Sequence, residues 1–376
     1  MNWDETYDIV VVGSGAAGFA AALTGQLQGL STFIIEKQPR IGGASALSGG
    51  GVWVPNNHYL QEAGVKDTYE NAKTYIDATI GDRVPEILKE TYLKRGPEML
   101  RFFHDNTKHM RFKYATNYSD YYAHLPGGKP TGRSIEPEII DLRLLKEWEG
   151  VLLEPTLSTK GFTMTGQEFH KVNMIMRTLK GKATSLKLGT RMIKSKLTGA
   201  RYASLGRALM AGLALSYKKA GGKFRVNAAF KDFIVENNRV IGVLIESNGK
   251  QLRIKANRGV ILGAGGFSQD HEKRQKYLPQ PTNKEWTSSP AGQTGDIIEP
   301  CKKLGAKFDL MEHVWGAPSV LDHHNKPFFL VADRAIPSMI IVDQNGNRYL
   351  NEAMPYHEFI NTMYTHHKQT DGKAIH

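Results

Sequence analysis

Short apolar runs alternate with a helical segment at the start of the chain. The run YDIVVV at 7–12 is β-branched and continuously apolar, which predicts a buried parallel strand. An Ala- and Leu-rich helix is predicted over 19–28 and ends at Gly29, and a second apolar strand spans 32–35. These elements predict a strand–helix–strand crossover of about 30 residues, the unit from which parallel α/β sheets are built.

Two later segments extend this pattern. The segment 233–243 predicts a hairpin whose strands join at Asn237 and Asn238. The apolar run that follows, 259–266, ends in small residues, as a strand returning to a cofactor at the sheet edge requires. The loop 292–296 is an equally good candidate for a cofactor contact and for a plain turn.

The turn between the first strand and its helix carries the pattern Gly-x-Gly-x-x-Gly. Gly13 allows a tight turn, Gly15 lets the backbone approach a pyrophosphate, and Gly18 lets helix and strand pack closely. The helix N-terminus offers N–H groups and a positive dipole end to phosphates. Glu36 ends the second strand, where its carboxylate accepts hydrogen bonds from an adenosine ribose. The pattern therefore predicts a dinucleotide site, and a chance glycine-rich turn is the alternative.

A second loop of glycine and serine, 42–51, follows Glu36 closely. A nicotinamide dehydrogenase does not need such a loop and usually continues straight into another helix. In flavoproteins the loop wraps the pyrophosphate and passes under the isoalloxazine ring, where small residues leave room for the flat ring. The loop favours FAD over NAD, with a surface glycine loop as the alternative.

The chain has 376 residues and a formal net charge of +12, and 40% of its residues are apolar. The length leaves room for two domains, and the composition is that of an ordinary globular protein. Cys301 is the single cysteine, which excludes a disulfide scaffold and a cysteine metal cluster and suggests a reducing compartment. The start of the chain does not resemble a secretory leader, and no apolar stretch is long enough to span a membrane. We expect a soluble cytoplasmic protein without a metal site.

The positive charge is concentrated in one segment. No acidic residue occurs between Glu168 and Asp232, whereas fifteen lysines and arginines do. Across 171–225 the basic residues alternate with apolar ones in a way compatible with a helix that has one apolar and one basic face. One hypothesis is that this segment rests on anionic lipid at the inner face of the membrane, and the alternative is a solvated lid packed on the body. Nucleic acid is not expected as a partner, because no recognised module accompanies the charge.

Several longer motifs resemble those of the fumarate reductase-type flavoproteins. They are DIVVVGSGAAG at 8–18, VILGAGGF at 260–267 and GNRYLNEAMPY at 346–356. Two further stretches, ALSGGGVWVP at 46–55 and YSDYYAHLPGG at 118–128, resemble the 3-ketosteroid 1-dehydrogenases within that group. These matches extend over nearly the whole chain.

The resemblance implies a reaction and the residues that perform it. In such enzymes flavin N5 takes a hydride from C1 of the steroid, and a tyrosine takes the proton from C2. Tyr356 matches the base and Tyr121 matches the tyrosine that assists it, while Tyr118, Tyr122 and Ser48 match substrate positions. From the residues alone, the tyrosines at 114–122 could equally be simple packing. An external electron acceptor is also implied, and the oligomeric state stays open.

The resemblance further implies a non-covalent FAD and the residues around it. Those in the first strand–helix–strand unit are Gly13, Ser14, Gly15, Ala16, Ala17, Gly18, Glu36 and Lys37. Those in the second loop are Gly42, Gly43, Ala44, Ser45, Ser48, Gly49, Gly50 and Gly51. The remaining positions are Ala229, Ala264, Gly265 and Asp296.

The predicted fold is α/β, with a doubly wound, Rossmann-like FAD-binding domain of the glutathione reductase type and an inserted α+β catalytic domain. We assign 1–110 and 205–300 to the FAD-binding domain, 111–204 to a mostly helical insertion, and 301–376 to a catalytic domain that is cut short. The family's carbonyl-polarising Tyr-Pro-Gly motif has no match here. The alternatives are therefore a dehydrogenase acting at C4–C5, a fumarate-type reductase of an activated double bond, and a flavin- or steroid-binding fragment without turnover.

Overall fold

The computed structural model describes residues 2–154, 163–173, 175–323, 326–330, 334 and 339–375. The chain divides into two compact units, Met1–Ala264 and Gly265–His376. The predicted domain boundaries follow function rather than compactness, and they stay a prediction. Met174, in the predicted basic segment, lies outside the described residues.

The first unit is built around a central sheet, with smaller sheets beside it. Its strands are β1 (Glu5–Val12), β2 (Thr32–Ile35), β3 (Val52–Trp53), β4 (Phe112–Tyr114), β5 (Ser134–Pro137), β6 (Ile140–Asp141), β7 (Tyr202–Ala203), β8 (Lys223–Arg225), β9 (Ala228–Glu236), β10 (Arg239–Ser247) and β11 (Lys250–Leu262). Its helices are α1 (Ala16–Leu27), α2 (Gly43–Leu47), α3 (His58–Glu62), α4 (Tyr69–Ile80), α5 (Glu86–Asn106), α6 (Gly166–Val172), α7 (Leu179–Thr198) and α8 (Leu205–Lys219), with a 3₁₀ segment at Leu142–Val151.

The central sheet has the strand order β8-β2-β1-β11-β10-β9. The pairs β8–β2, β2–β1 and β1–β11 are parallel, and β10 pairs antiparallel with both β11 and β9. Parallel neighbours carry their connections on the faces of the sheet, so β1 and β2 are buried apolar strands. Helix α8 packs against α1 and α2 and is buried nearly all round, which explains its uniformly apolar sequence.

The local elements predicted from sequence are confirmed, with shifted ends. Strand β1 begins two residues earlier than predicted, and α1 begins at Ala16 instead of Phe19. The hairpin β9–β10 turns at Asn237 and Asn238, both with positive φ, as a two-residue type I′ connection requires. Strand β11 ends at Leu262, because the glycine-rich stretch after it leaves the ladder.

The second unit contains short elements joined by long connections. They are α9 (His271–Tyr277), α10 (Ile298–Lys303), β12 (Ser319–Leu321), β13 (Pro327–Phe329) and α11 (Tyr356–Gln369), with a 3₁₀ turn at Lys284–Trp286. Phe359 and Ile360 of α11 are buried, which anchors this helix within its own unit. The carboxylate of Asp343 accepts from the backbone of Asn347 and faces His366 Nε2 at 3.0 Å, so the pKa of Asp343 is lowered to about 2.

Candidate cofactor and substrate site

The turn after β1 leaves no room for side chains at two of its glycines. Gly13 has a φ of +100°, and a Cβ there would lie 2.4 Å from the carbonyl oxygen of Gly263. A Cβ on Gly18 would lie 2.0 Å from the oxygen of Gly13. At Gly15 the nearest atom to an added Cβ is Ser45 Oγ, at 3.7 Å, so this side of the turn is open. The turn is thus tightly packed behind and bare where a pyrophosphate would approach.

Ser14 links the turn to the acidic residue at the end of β2. Its backbone N–H and its hydroxyl both donate to Glu36 Oε2, at 3.1 and 2.6 Å, and Ser14 is fully buried. The other carboxylate oxygen of Glu36 accepts from the backbone of Gln38 at 2.9 Å. These bonds hold the carboxylate at the carboxyl end of the sheet, where the predicted ribose would lie. The spacing rule treated the residue between the glycines as variable, so it gave no sign of this role.

The second glycine loop packs directly on the first. The hydroxyl of Ser45 accepts from the backbone N–H of Ala16 at 3.1 Å, at the start of α1. The backbone N–H of Gly42 donates to Ser14 Oγ at 3.2 Å. Ser48 donates to the Ser45 oxygen at 2.8 Å, and its own carbonyl accepts from Gly206 of α8. The structure therefore brings the two predicted loops together, while Ala44, Gly49 and Gly51 are exposed.

The remaining predicted cofactor positions divide between the two units. Ala264 follows β11 beside Gly13, because Gly263 donates to the oxygen of Val12 at 2.8 Å. Ala229 lies next to Glu36, whose carbonyl accepts from the Ala228 backbone at 2.9 Å. The other members in the first unit are Ala17 on α1 and Lys37, Gly43 and Gly50 beside β2 and the second loop. Gly265 and Asp296 lie in the second unit, where Asp296 accepts from Thr294 at 2.6 Å.

The residues of the first unit fit FAD. An open backbone turn, a helix N-terminus and a fixed carboxylate follow one another along the carboxyl edge of the sheet. The second loop presents small residues over the same edge. These features supply phosphate-binding amides, a ribose-binding acceptor and space for a flat ring.

The predicted substrate tyrosines lie on one loop of the first unit. Tyr118 and Tyr121 are partly exposed and Tyr122 is half-buried. The backbone N–H of Tyr122 donates to the hydroxyl of Tyr75 on α4 at 3.2 Å. Burial is the largest of the effects on Tyr75 and raises the pKa of its phenol. Tyr75 therefore stays protonated and serves as a fixed support for the loop.

A buried arginine holds this loop from below. Arg133 is fully buried, and its Nε donates to Asp67 Oδ2 at 2.9 Å. Its other two nitrogens donate to the carboxylate of Asp120 and, at 2.7 Å, to the carbonyl of Gly127. The indole of Trp53 donates to the second oxygen of Asp120 at 2.9 Å. Buried charges are stable only when paired in this way, so the cluster fixes the loop between Asp120 and Arg133.

Sequence analysis did not identify this cluster, which we call the Arg133 cluster (Asp67, Asp120, Arg133 and Trp53). An arginine or aspartate within a polar loop reads as a solvated surface residue. Its signal is the pairing of residues far apart in sequence, and a single sequence does not contain that information.

Tyr356, the predicted base, lies in the second unit. It is the first residue of α11, after Pro355, and its hydroxyl oxygen accepts a hydrogen bond from Trp315 Nε1 at 2.8 Å. Tyr121 belongs to the first unit, and the assignment of the two tyrosines to one reaction stays a prediction. Among the residues that the structure describes, no group of three or more His, Cys, Asp or Glu is placed to hold a metal ion.

Comparisons with known proteins place these features in a family. The family model for the FAD binding domain matches residues 8–376. The chain is 43% identical to a 3-oxosteroid 1-dehydrogenase of Mycolicibacterium smegmatis over 96% of its own length and 64% of that protein. It is 42% identical to the 3-oxosteroid 1-dehydrogenase of Mycobacterium tuberculosis (strain H37Rv), over 96% of the chain and 65% of the relative. The chain thus spans a little under two thirds of the length of these curated relatives.

The solved structures include one that is similar over nearly the whole chain. It is the 3-ketosteroid delta1-dehydrogenase from Sterolibacterium denitrificans, in complex with 1,4-androstadiene-3,17-dione. The TM-score is 0.91 at 35% sequence identity, covering 99% of this chain and 68% of that one. The predicted fold class and the prediction of FAD as the cofactor are confirmed. The chain belongs to the FAD-binding family of flavoproteins and, within it, to the group of the 3-ketosteroid 1-dehydrogenases.

Proposed function

We propose that the protein is an FAD-dependent dehydrogenase that introduces the C1–C2 double bond into ring A of a 3-ketosteroid. The observation that carries this proposal is the TM-score of 0.91 to a delta1-dehydrogenase that holds a steroid dienone. Two features of this chain support it. The turn of the first unit fits FAD, and the tyrosine loop is held rigidly by the Arg133 cluster instead of hanging in solvent.

Bound FAD supplies the acceptor for the hydride that leaves C1 of the steroid. The residues of this chain handle the proton. Tyr356 removes it from C2, and the electron pair of that C–H bond becomes the new double bond. A free phenol titrates near 10, so Tyr356 is a weak base at neutral pH, and Tyr121 assists by sharing the proton.

Two further requirements complete the proposed site. Tyr118, Tyr122 and Ser48 line the steroid, with the tyrosines supplying flat apolar surface and polar ends. A donor at the C3 carbonyl would make the C2 proton more acidic, and we assign none of the described residues to that role. Turnover also requires an external electron acceptor, for which an artificial dye can substitute.

The choice of substrate separates the proposed reaction from its alternatives. Androst-4-ene-3,17-dione already contains the C4–C5 double bond, so only a C1–C2 dehydrogenase oxidises ring A. 5α-Androst-1-ene-3,17-dione contains the C1–C2 bond, so only a C4–C5 dehydrogenase oxidises it. We expect the FAD-loaded chain to be bleached anaerobically by the first steroid and not by the second. Bleaching by the second alone, or re-oxidation of the reduced flavin by fumarate, would overturn the proposal.

Tyrosine variants provide the matched controls. We expect Tyr356→Phe and Tyr121→Phe to retain FAD and to slow flavin reduction by about 10²–10⁴-fold, the usual contribution of general base catalysis. Tyr114→Phe serves as the control, because its hydroxyl donates to the carbonyl of Thr131 in the same loop region and has no assigned catalytic role. Equal rates in all three variants would remove Tyr121 and Tyr356 from the mechanism.

We also propose that the basic segment binds a membrane surface. Three leucines lie seven or more residues apart along α7, which places them on one stripe of the helix. Leu179, Leu186 and Leu197 are 83%, 71% and 82% exposed, and lysines at 180, 182, 194 and 196 lie beside them. An apolar stripe with basic flanks suits anionic lipid headgroups over acyl chains. In the described residues no helix is long and apolar enough to cross a bilayer.

Helix α7 is tied to the body on its other side, which supports this orientation. Arg191 donates to both oxygens of the Glu168 carboxylate on α6, at 2.8 Å each. The stripe is therefore held facing outward. We place the protein at the cytoplasmic face of the membrane, where a water-insoluble steroid is concentrated.

Sedimentation with vesicles tests the lipid proposal. We expect the chain to bind phosphatidylcholine vesicles that contain phosphatidylglycerol, and to bind pure phosphatidylcholine at least tenfold more weakly. Replacing Leu179, Leu186 and Leu197 with glutamine should abolish the difference, whereas Leu144→Gln, an exposed leucine outside the segment, should not. Equal and negligible binding to both vesicles would favour the solvated lid.

A further inference from the structure

An exposed tryptophan donates a hydrogen bond to the proposed base. Trp315 Nε1 lies 2.8 Å from the hydroxyl oxygen of Tyr356. An indole N–H is only a donor, so the phenolic oxygen is the acceptor in this pair. Tyr356 opens α11, whose Phe359 and Ile360 are buried, so the acceptor oxygen is mounted on an anchored helix. The bond therefore has a fixed direction.

Core packing does not account for this tryptophan. Trp315 is 83% exposed in the described structure, whereas tryptophans in proteins are on average highly buried. Tyr217 shows the contrasting case, because it is fully buried and its hydroxyl donates to the carbonyls of Thr32 and Lys223. For Trp315, the bond to Tyr356 is the specific polar contact that the structure offers.

We propose that Trp315 is a positioning residue for Tyr356 in the reaction with the steroid. This inference rests on the proposed function. The indole directs a lone pair of the phenolic oxygen and stabilises the oxygen in its anionic form, in which it removes the C2 proton. When the C2–H bond breaks, the proton forms the new O–H bond, and the C–H electron pair forms the double bond as the hydride leaves C1 for the flavin.

The surroundings explain why an indole suits this role. In water a phenol oxygen is hydrogen-bonded by solvent, and one more donor adds little. A steroid that covers Tyr356 displaces that solvent, and the indole remains as a donor supplied by the protein. A hydrogen bond in such a dry site is electrostatically stronger than the same bond in water. Its large apolar ring also offers a surface to the steroid.

The bond itself can be tested without turnover. The chain contains 5 tryptophans, so its ¹H–¹⁵N spectrum should contain that number of indole signals. Trp315→Phe identifies one signal by its loss. We expect the same signal to move in Tyr356→Phe, while the other indole signals stay in place. If Tyr356→Phe leaves the Trp315 signal unmoved, the proposed contact is wrong.

The role is tested by isotope effects on flavin reduction. In Trp315→Phe we expect reduction by androst-4-ene-3,17-dione to be about tenfold slower, the typical effect of losing one hydrogen bond to a charged oxygen. Deuterium at C2 should slow the variant by a larger factor than the wild type, because proton removal becomes more rate-limiting. FAD content and steroid affinity should be unchanged. Trp286→Phe, another tryptophan of the second unit, should behave as the wild type.

The outcomes separate this inference from the proposed function. If the steroid does not reduce the wild-type flavin, the proposed function fails. If it does, and Trp315→Phe reduces at the wild-type rate or loses only steroid affinity, the positioning role is wrong while the function stands. A slower rate with an unchanged C2 isotope effect also contradicts the role, because proton removal would then not be the affected step.

Discussion

The phosphate turn and the tyrosine loop of the first unit are built in opposite ways. The turn depends on backbone, with Gly13 and Gly18 packed against main-chain atoms within a few residues of one another. The loop depends on side-chain charge, with Arg133 bound to Asp67, which lies 66 positions away in the sequence. Backbone geometry is recorded in local spacing, whereas a buried ion cluster is recorded in distant pairs. The comparison explains why one region was predictable and the other was not.

Removing the charge at the centre of the Arg133 cluster should have the largest effect on stability. Arg133→Met leaves the carboxylates of Asp67 and Asp120 buried without their main partner. Breaking a buried pair in this way costs about 3–5 kcal/mol of the free energy of unfolding. Urea unfolding measures the loss.

Arg95→Met is the matched control for that experiment. Arg95 pairs with Glu98 on the exposed surface of α5, and such pairs contribute about 0–1 kcal/mol. Similar losses in the two variants would mean that the tyrosine loop does not depend on buried charge, and the contrast between the two regions would disappear.

A single methyl group in the phosphate turn should be nearly as damaging. Gly18→Ala places a Cβ 2.0 Å from the oxygen of Gly13, and neither backbone segment has room to move. We expect a loss of about 3 kcal/mol, the upper part of the usual range for overpacking, together with loss of FAD. Flavin absorbance after gel filtration and thermal unfolding measure the two effects.

The control for the turn is a glycine with free space around it. Gly189 lies within α7, and a Cβ there meets nothing within 4 Å. Gly189→Ala should therefore stabilise the helix by about 1 kcal/mol and retain FAD. If Gly18→Ala retains FAD as well, the turn is not the phosphate site.

Helix α7 provides a charged contact of intermediate burial. Burial alone would raise the pKa of Glu168, but hydrogen bonds from Arg191 and the Thr165 backbone outweigh it and lower the pKa to about 2. Because the folded pKa is the lower one, the stabilisation is complete above the unfolded pKa near 4.5 and is lost as the pH falls towards 2. Unfolding between pH 7 and 3 should show that Glu168→Gln loses on the order of 2 kcal/mol at pH 7 and little at pH 3. A pH-independent difference would contradict this assignment.

The smallest expected effect concerns one hydrogen bond of the Arg133 cluster. Trp53→Phe removes the donor to Asp120 while keeping an aromatic ring beside Tyr92, on which Trp53 stacks at 6.2 Å. We expect a loss of about 1–2 kcal/mol in urea unfolding. Trp148→Phe is the control, since its ring packs on Phe224 and no hydrogen bond of its indole is found in the described part of the chain. A larger loss for Trp148→Phe would indicate that ring packing, not the bond, decides the effect.

The sequence was informative wherever the physics is local. The strands β1 and β2, the glycines of the turn, Glu36 and the Asn237–Asn238 hairpin all follow from periodicity and spacing. The role of Ser14 was missed because its hydroxyl bonds to Glu36 across 22 positions. Asp67, Asp120 and Arg133 were missed because a buried charge looks like a surface charge until its partner is known. The roles of Tyr121 and Tyr356 came from the family resemblance and remain predictions.

The central claim is that this chain holds FAD and that a 3-ketosteroid delivers a hydride to it from C1. The most direct test is an anaerobic absorption spectrum of the 376-residue chain loaded with FAD, before and after addition of androst-4-ene-3,17-dione. The account predicts flavin bands that bleach on addition, with androsta-1,4-diene-3,17-dione as the product and a slower reaction when C1 carries deuterium. A bound flavin that stays oxidised with the steroid present, or a chain that retains no FAD, would contradict it.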